Sequence, residues 1–309
     1  MPIPIASAIE ALLSRGARQK NDRSLFETES VARSGERLAP GLTLEWLGTS
    51  GFRLSYEGFV LLIEPYVSRP GLRKTLGSAP LLADAAIVRD RIPRADAVLV
   101  GHTHFDHALD VPHVAKTHGC PVYGSSSLRR LMGLFGLAER TTVVEAGRVY
   151  AIGPFEVTFV ESAHSKMLFG VQVINGGELS CDQLDGLRGS AYRAGQVYGI
   201  HIAVAGKTFY HQGSADLLDD KVRHRGVDYF LAGIAGRGYT EKYAERILRL
   251  LEPRLVIPHH FDDFFRPLDA KMGFSLNVNL GGFFDEVRRV SPDFVVKTLA
   301  PFRPWTGAL

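Results

Sequence analysis

The chain has 309 residues, 45% of them hydrophobic, and carries 36 Lys and Arg against 33 Asp and Glu for a formal charge of +3. That balance excludes a disordered or fibrous chain, and with no basic run of five or more it makes no electrostatic case for a nucleic-acid partner. The two cysteines, Cys120 and Cys181, lie far apart without CxxC spacing, so a disulfide framework and a thiolate metal site are both excluded, and any bound metal must be held by His and carboxylate groups.

No apolar run is long enough to span a membrane, and the N-terminus lacks a basic segment ahead of a long apolar core. A cytoplasmic protein without membrane partners is expected, with oligomeric state left open. The length suits one large domain over residues 41–309, preceded by an N-terminal extension over 1–40 packed on the core. In that extension the amphipathic stretch Ile5–Leu13 predicts a surface helix followed by an extended lead-in.

From Leu42 the pattern changes. "LTLEWLG", "FRLSYEG" and "FVLLIEP" predict three sequential strands separated by glycine turns. "ADAVLVG" (95–101) is nearly continuous in apolar residues, as in a strand covered on both faces, and runs into "GHTHFDH" (101–107). Asp110 as N-cap, Pro112 in the first turn and Gly119 as a stop predict a helix over 111–118, which places the histidine cluster in a strand-to-helix loop.

"PVYG" predicts a further strand, and Leu128, Leu131, Met132 and Phe135 have the i, i+3, i+4, i+7 spacing of a helix with one buried face. "TTVVEAG", "RVYAIG" and "FEVTFVESAH" return to strands, the last ending at His164. Residues 165–195 read as an irregular loop. "VYGIHIAVAG", "KTFYHQG", "VDYFLAG" and "RLVIPHH" predict four more strands, with a helix capped by Thr240 and ended by Pro253 before the last. The second half thus repeats the strand-and-helix grammar of the first without a sequence repeat.

Three histidines and an aspartate in seven positions, in a chain with 11 histidines, demand a chemical reason. His102 and His104 leave an extended backbone on the same face and can reach one ion; Asp106 and His107, in a following bend, can serve a second ion beside it. Imidazole with carboxylate suits zinc, one ion or two, while manganese and iron accept similar sets. Two adjacent metals imply hydrolysis, by a zinc-bound hydroxide attacking a carbonyl or phosphorus centre.

These residues give the chain its resemblance. "GHTHFDH" is similar to the signature of the metallo-β-lactamase superfamily, "LEWLGTSGFRLSYEGFVLLIEPY" resembles the family's opening strands, and "IPHHFD" supplies a second anchor. Within the superfamily the chain looks most similar to the branch containing L-ascorbate-6-phosphate lactonase and N-acyl-phosphatidylethanolamine phospholipase D. The resemblance implies an α/β fold, a four-layer αββα sandwich with metals at one edge between the sheets. It also implies ligands: His102, His104 and His164 at a first site, and Asp106, His107 and His260 at a second, with Asp106 also orienting the attacking water and accepting its proton. His259 competes with His260, but adjacent residues of an extended segment face opposite ways, so only one is expected to reach the ion.

One departure stands out. Where relatives carry a metal-bridging aspartate after a strand-end glycine, this chain has "YHQGSADLLDD", with Ser214 at the expected position and Asp216 two residues on. A neutral hydroxyl does not replace a bridging carboxylate, so the second ion is expected to bind more weakly unless Asp216 swings in; otherwise Asp216 caps a following helix. Glu64, in "IEP" where relatives often have "IDP", is expected to orient a ligand histidine. His201 and His211 are read as supporting or packed side chains, and His113, His118 and His224 as surface residues.

Lys166, and Arg237 in the glycine-rich loop "AGIAGRGYT", are candidates to meet an anionic small-molecule substrate, with Tyr66, Phe169 and Tyr239 as candidate lining of the mouth. An ester, lactone or phosphoester is expected in preference to a β-lactam. The alternatives are a metal-dependent nuclease, disfavoured by the modest charge, and a non-catalytic metal-binding module whose bridging ligand has degraded at Ser214.

Overall fold

Alternation along single strands decides the layers. Leu61 and Ile63 enter one hydrophobic cluster and Leu62 another, and the same division separates Ala97 and Leu99 from Val98. A period of two with apolar residues on both sides marks a sheet buried on both faces. The structure is a computed structural model, and it describes residues 15–166, 176–275 and 278–307. The predicted helix at Ile5–Leu13 and the predicted mouth residue Phe169 therefore lie outside the described residues.

Two mixed seven-stranded sheets form the centre. The first holds β1 (Thr43–Gly48), β2 (Gly51–Tyr56), β3 (Phe59–Ile63), β4 (Ala97–Leu99), β5 (Val122–Gly124) and β6 (Thr141–Val143), with the last strand, β14 (Trp305–Thr306), outside β1. The second holds β7 (Val149–Ile152), β8 (Phe155–Glu161), β9 (Tyr198–Val204), β10 (Lys207–Gln212), β11 (Tyr229–Gly233), β12 (Leu255–His259) and β13 (Val295–Val296). Each sheet begins with antiparallel hairpins and continues with parallel strands: β3 to β6 in the first, β10 to β13 in the second. The repeated grammar of the two halves is thus a repeated topology.

Helices cover both outer faces and complete the four-layer αββα sandwich. On the first sheet, Ser126–Leu134 buries Leu128, Leu131 and Met132, each worth roughly 1.5–3 kcal/mol when removed from water. Ser125 caps that helix by accepting from the Leu128 N–H at 3.2 Å. On the second sheet, Tyr243–Leu251 and Leu280–Val290 bury Ile247, Leu248, Phe283 and Val287. No helix among the described residues is long and apolar enough to cross a membrane.

Several local expectations need correction. Asp110 precedes the helix Val111–His118 but does not cap it; its carboxylate instead accepts from Val67 N and Ser68 N, at 2.5 and 2.8 Å, tying down the loop after β3. Thr240 does not cap Tyr243–Leu251, whose N-terminal neighbour is Lys242 in a left-handed conformation. The helices Arg15–Thr28, Leu72–Thr75, Ala85–Arg91 and Leu280–Val290 go beyond the predicted elements. Arg15–Thr28 packs on Leu280–Val290, where Asp22 accepts from the Gly281 N–H at 2.9 Å.

Candidate metal centre

Three separate chain segments meet at one edge of the sandwich. β4 ends at Leu99, and the chain leaves it through Gly101 into His102 and His104; a single helical turn, Phe105–Ala108, then carries Asp106 and His107. The predicted bend is therefore one turn of helix, which sends Asp106 and His107 in a different direction from the extended pair before them. His164 follows β8, and His260 follows β12 directly.

The side chains form two trios that share no residue, joined by a third group, Glu64–His102–His107. In each of His102–His104–His164 and Asp106–His107–His260, one candidate ligand atom per residue lies within 4.8 Å of the others. The rings of His102 and His107, one from each trio, are 3.8 Å apart between centroids, so the two share a wall. His102 Nε2 is buried and has no hydrogen-bond partner. Such an atom is costly unless something accepts its lone pair or donates to it, and a cation at the centre of the trio fits that need.

Glu64 organises the centre from below. Its carboxylate accepts from Gly101 N at 2.9 Å and pairs with His107 Nδ1 at 2.6 Å, and His102 and His211 lie 3.8 Å away. Burial alone would raise its pKa, but His107, His211 and Ser50 outweigh burial and hold it down at about 2. With Nδ1 engaged by Glu64, His107 is left with Nε2 toward Asp106, at 3.7 Å from Oδ2. Glycine is required beside this carboxylate, because a Cβ on Gly101 would sit 2.8 Å from Oε1 and one on Gly213 would sit 2.6 Å from Oε2.

The remaining protonation states follow from surroundings. Burial and the neighbouring histidines push His102 well below the usual histidine range, and burial with His104 pushes His164 down to about 3. Both are neutral imidazoles at ordinary pH, the form that binds metal. His164 Nδ1 faces the Ser165 carbonyl at 2.8 Å, which leaves Nε2 for the centre. Burial would raise Asp106, but His107 and His260 overcome it and keep the carboxylate ionised, with Oδ2 at 3.3 Å from His260 Nε2.

Backbone strain collects here. Thr49, Glu64, Arg69 and His260 all have left-handed φ, between 42° and 60°, without being glycine. Such residues each cost on the order of 1–3 kcal/mol and persist where surrounding structure over-determines them. At His260 the restraint is explicit: its N–H donates to Thr49 O at 2.8 Å, and Thr49 N donates to Asp262, two residues beyond His260. That turn separates the two adjacent histidines. His260 joins the second trio, whereas His259 is fully buried, stacked on His211 at 4.9 Å and set edge-on to Phe52.

Other sequence candidates lie outside the trios. Asp216 has not swung in, and no helix follows it to cap: it accepts from the Leu217 N–H at 2.8 Å and pairs with Arg246 at 3.5 Å. Ser214 Oγ accepts from Ser165 N at 3.0 Å, bracing the segment that carries His164. Arg237 is not free to meet a substrate, because it is buried, paired with Glu286 at 3.1 Å and bonded to Asn279 O at 2.6 Å. Lys166 is exposed and lines a cavity of about 740 Å³ with His164, Glu161, Tyr198 and Asp216.

His211 is buried against Ser50, its Nε2 3.0 Å from the Ser50 carbonyl, and His201 stacks on His224 at 3.9 Å. His113, His118 and His224 are half-buried rather than free at the surface. Tyr66 is fully buried with its hydroxyl unpartnered, and Tyr239 is half-buried in the turn with Arg237. An aromatic wall beside the second trio goes beyond the predicted mouth residues. Phe264 stands edge-on to His260 at 5.5 Å and packs on Phe265 at 4.4 Å, and Phe105 touches both. The signal was in plain view, since Phe105 lies inside "GHTHFDH" and the other two follow in "HHFDDFF".

Known proteins resemble the chain in sequence and in fold. A family model described as "Beta-lactamase superfamily domain" matches residues 43–260. Among curated proteins, the chain is 31% identical over 233 residues to a UPF0173 metal-dependent hydrolase of Ruegeria sp. (strain TM1040), covering 72% of this chain and 87% of that one. It is 29% identical over 230 residues to a UPF0173 metal-dependent hydrolase of Anaeromyxobacter sp. (strain K), covering 71% and 74%. Among solved structures, Igni18, a metallo hydrolase of Ignicoccus hospitalis, superposes with a TM-score of 0.56 at 19% identity, over 85% of this chain and 97% of that one. YhfI of Bacillus subtilis, a metallo-β-lactamase fold protein, gives 0.52 at 14% identity, over 85% and 99%.

Proposed function

The chain belongs to the beta-lactamase superfamily, and on that footing we propose that it is a metal-dependent hydrolase of an ester, lactone or phosphoester bond, with the two trios as its cation site. The observation that carries this reading is the convergence of five imidazoles and one carboxylate from three distant segments. The curated relatives' names point the same way. The motif's likeness to the lactonase and phospholipase D branch favours a lactone or phosphodiester over a β-lactam.

His102, His104 and His164 would hold one cation, and Asp106, His107 and His260 a second; the donor set suits zinc, with manganese or iron as substitutes. A divalent cation there would supply Lewis-acid polarisation of the scissile oxygen and a lowered pKa for water. The chain's own residues do the rest. Asp106, ionised between two histidines, orients the attacking water and takes up its proton at a carboxylate oxygen. Glu64 holds His107 in one orientation. Phe105, Phe264 and Phe265 exclude water from one side and offer an apolar surface to the leaving group, while Lys166 beside His164 favours an anionic substrate.

The test is chelation followed by add-back of zinc or manganese, with metal counted per chain and turnover followed on aryl esters, lactones and bis-aryl phosphodiesters. Activity should vanish and return with the metal; full-rate catalysis by metal-free protein would sink the proposal. Bound metal without turnover on any of the three classes would favour a non-catalytic metal-binding module, the reading that Ser214 in place of a carboxylate keeps open.

A further inference from the structure

A second cavity, of about 320 Å³, has Asp262, the partner of Thr49, in its lining, and none of the six proposed ligands lines it. Arg69, Arg91, Arg266 and Arg303 surround it together with Asp262 and Asp263. Four guanidinium groups line it against two carboxylates, and with Asp90 pairing to Arg91 at 3.1 Å from outside the lining the surplus is one positive charge. Its other walls are apolar, with Pro267, Leu268, Met272 and Phe302 among them.

The arginines differ in how they are held. Arg69 is buried and fixed: Nη2 reaches Asp262 Oδ2 at 2.5 Å and Thr49 Oγ1 at 3.3 Å, while Nε is buried without a hydrogen-bond partner. The cavity therefore has one arginine of fixed position, already engaged with Asp262. Arg91 lies over the Phe302 ring at 5.5 Å, which positions its head at the rim. Arg266 and Arg303 are exposed and form no ion pair among the described residues. A planar fork that is always charged is the side chain best suited to grip phosphoryl oxygens two at a time.

We propose that this cavity is a binding site for a phosphoryl group carried on a small apolar body. The rim arginines take the phosphoryl oxygens, and Phe302 with Leu268 takes the apolar part. The volume is at the small end of ligand pockets, which limits the occupant to a compact molecule. None of the six proposed metal ligands is among the residues lining the cavity.

Calorimetric titration of the metal-loaded full chain tests this with two probes that no hydrolase can consume, inorganic phosphate and phenylphosphonate. Either probe can also bind at the metals, so each titration is repeated on the double variant Arg266→Ala/Arg303→Ala, which leaves the six proposed ligands in place. Both residues are exposed, and unchanged metal content checks that the variant is folded. Wild type should show one more saturable site than the variant, with phenylphosphonate at least tenfold tighter than phosphate at that site. A single Arg303→Glu variant should lose the site as well. Equal stoichiometry and affinity in wild type and double variant, or binding of phosphate and phenylphosphonate with the same affinity, would overturn the proposal.

Discussion

The loops that leave β4 and β10 begin alike and end in different roles. Each starts at a glycine pressed against the Glu64 carboxylate, Gly101 in one case and Gly213 in the other. The first then delivers four candidate ligands in six residues, His102 to His107. The second delivers none to either trio. Its Ser214 hydroxyl braces Ser165, and the Gln212 amide lies within bonding distance of Ser162 Oγ and of the Ser214 and Asp216 carbonyls. Being next to the centre is therefore not the same as ligating it: the second loop clamps the strand end that presents His164.

The largest effect tests the loop that carries ligands. His102→Ala with His107→Ala removes one imidazole from each trio and should reduce both metal content and hydrolysis to background, as read by elemental analysis and ester turnover. Near-normal metal content would mean that the trios are not the site. Glu64→Gln comes next, since it keeps volume and removes the charge shared by the two loops. Loss of such a supporting carboxylate typically costs 10–100-fold in metal affinity, and a competition titration against a chelator would read it. The variant also has a pH signature. Because the folded pKa of Glu64 is depressed to about 2 from an ordinary 4.5, the wild-type advantage in stability is complete above about 4.5 and is lost as pH falls toward 2. A gap between wild type and variant that widened on acidification would contradict this.

Much of the fold was legible because short apolar runs bounded by turn residues translate directly into strands; β1 to β12 coincide with such runs. The short β13 and β14 carry no such signal, because two residues cannot show a period. The helix Leu280–Val290 is instructive: Leu280, Phe283, Phe284 and Val287 have helical spacing and Asn279 caps it, but Gly281 and Gly282 dilute its propensity just where it starts. Within the site, ligand types and spacing were readable from "GHTHFDH" and "IPHHFD". The support was not. That Arg237 is spent on Glu286 and Asn279, or that Asp262 ties Thr49 to the turn at His260, depends on pairs separated by 42 to 213 residues, which no local pattern encodes.

Two smaller effects sharpen the contrast between the loops. Ser214→Asp restores a carboxylate where the second loop has only a hydroxyl. If the second ion is weak for want of that charge, its affinity should rise on the order of tenfold, equivalent to about 1.4 kcal/mol, and the metal count per chain should rise with it. An unchanged count would mean that a side chain at 214 is committed to Ser165 and cannot reach the ions. Asp216→Asn should do least. Its carboxylate is partly exposed and paired with Arg246, which also holds Asp219, so the lost pair is worth about 0–1 kcal/mol. Thermal denaturation should shift by no more than a few degrees, and metal content should not shift at all. A fall in metal content on this substitution would show that Asp216 does turn inward when a cation is present, and would move the second loop from clamp to ligand.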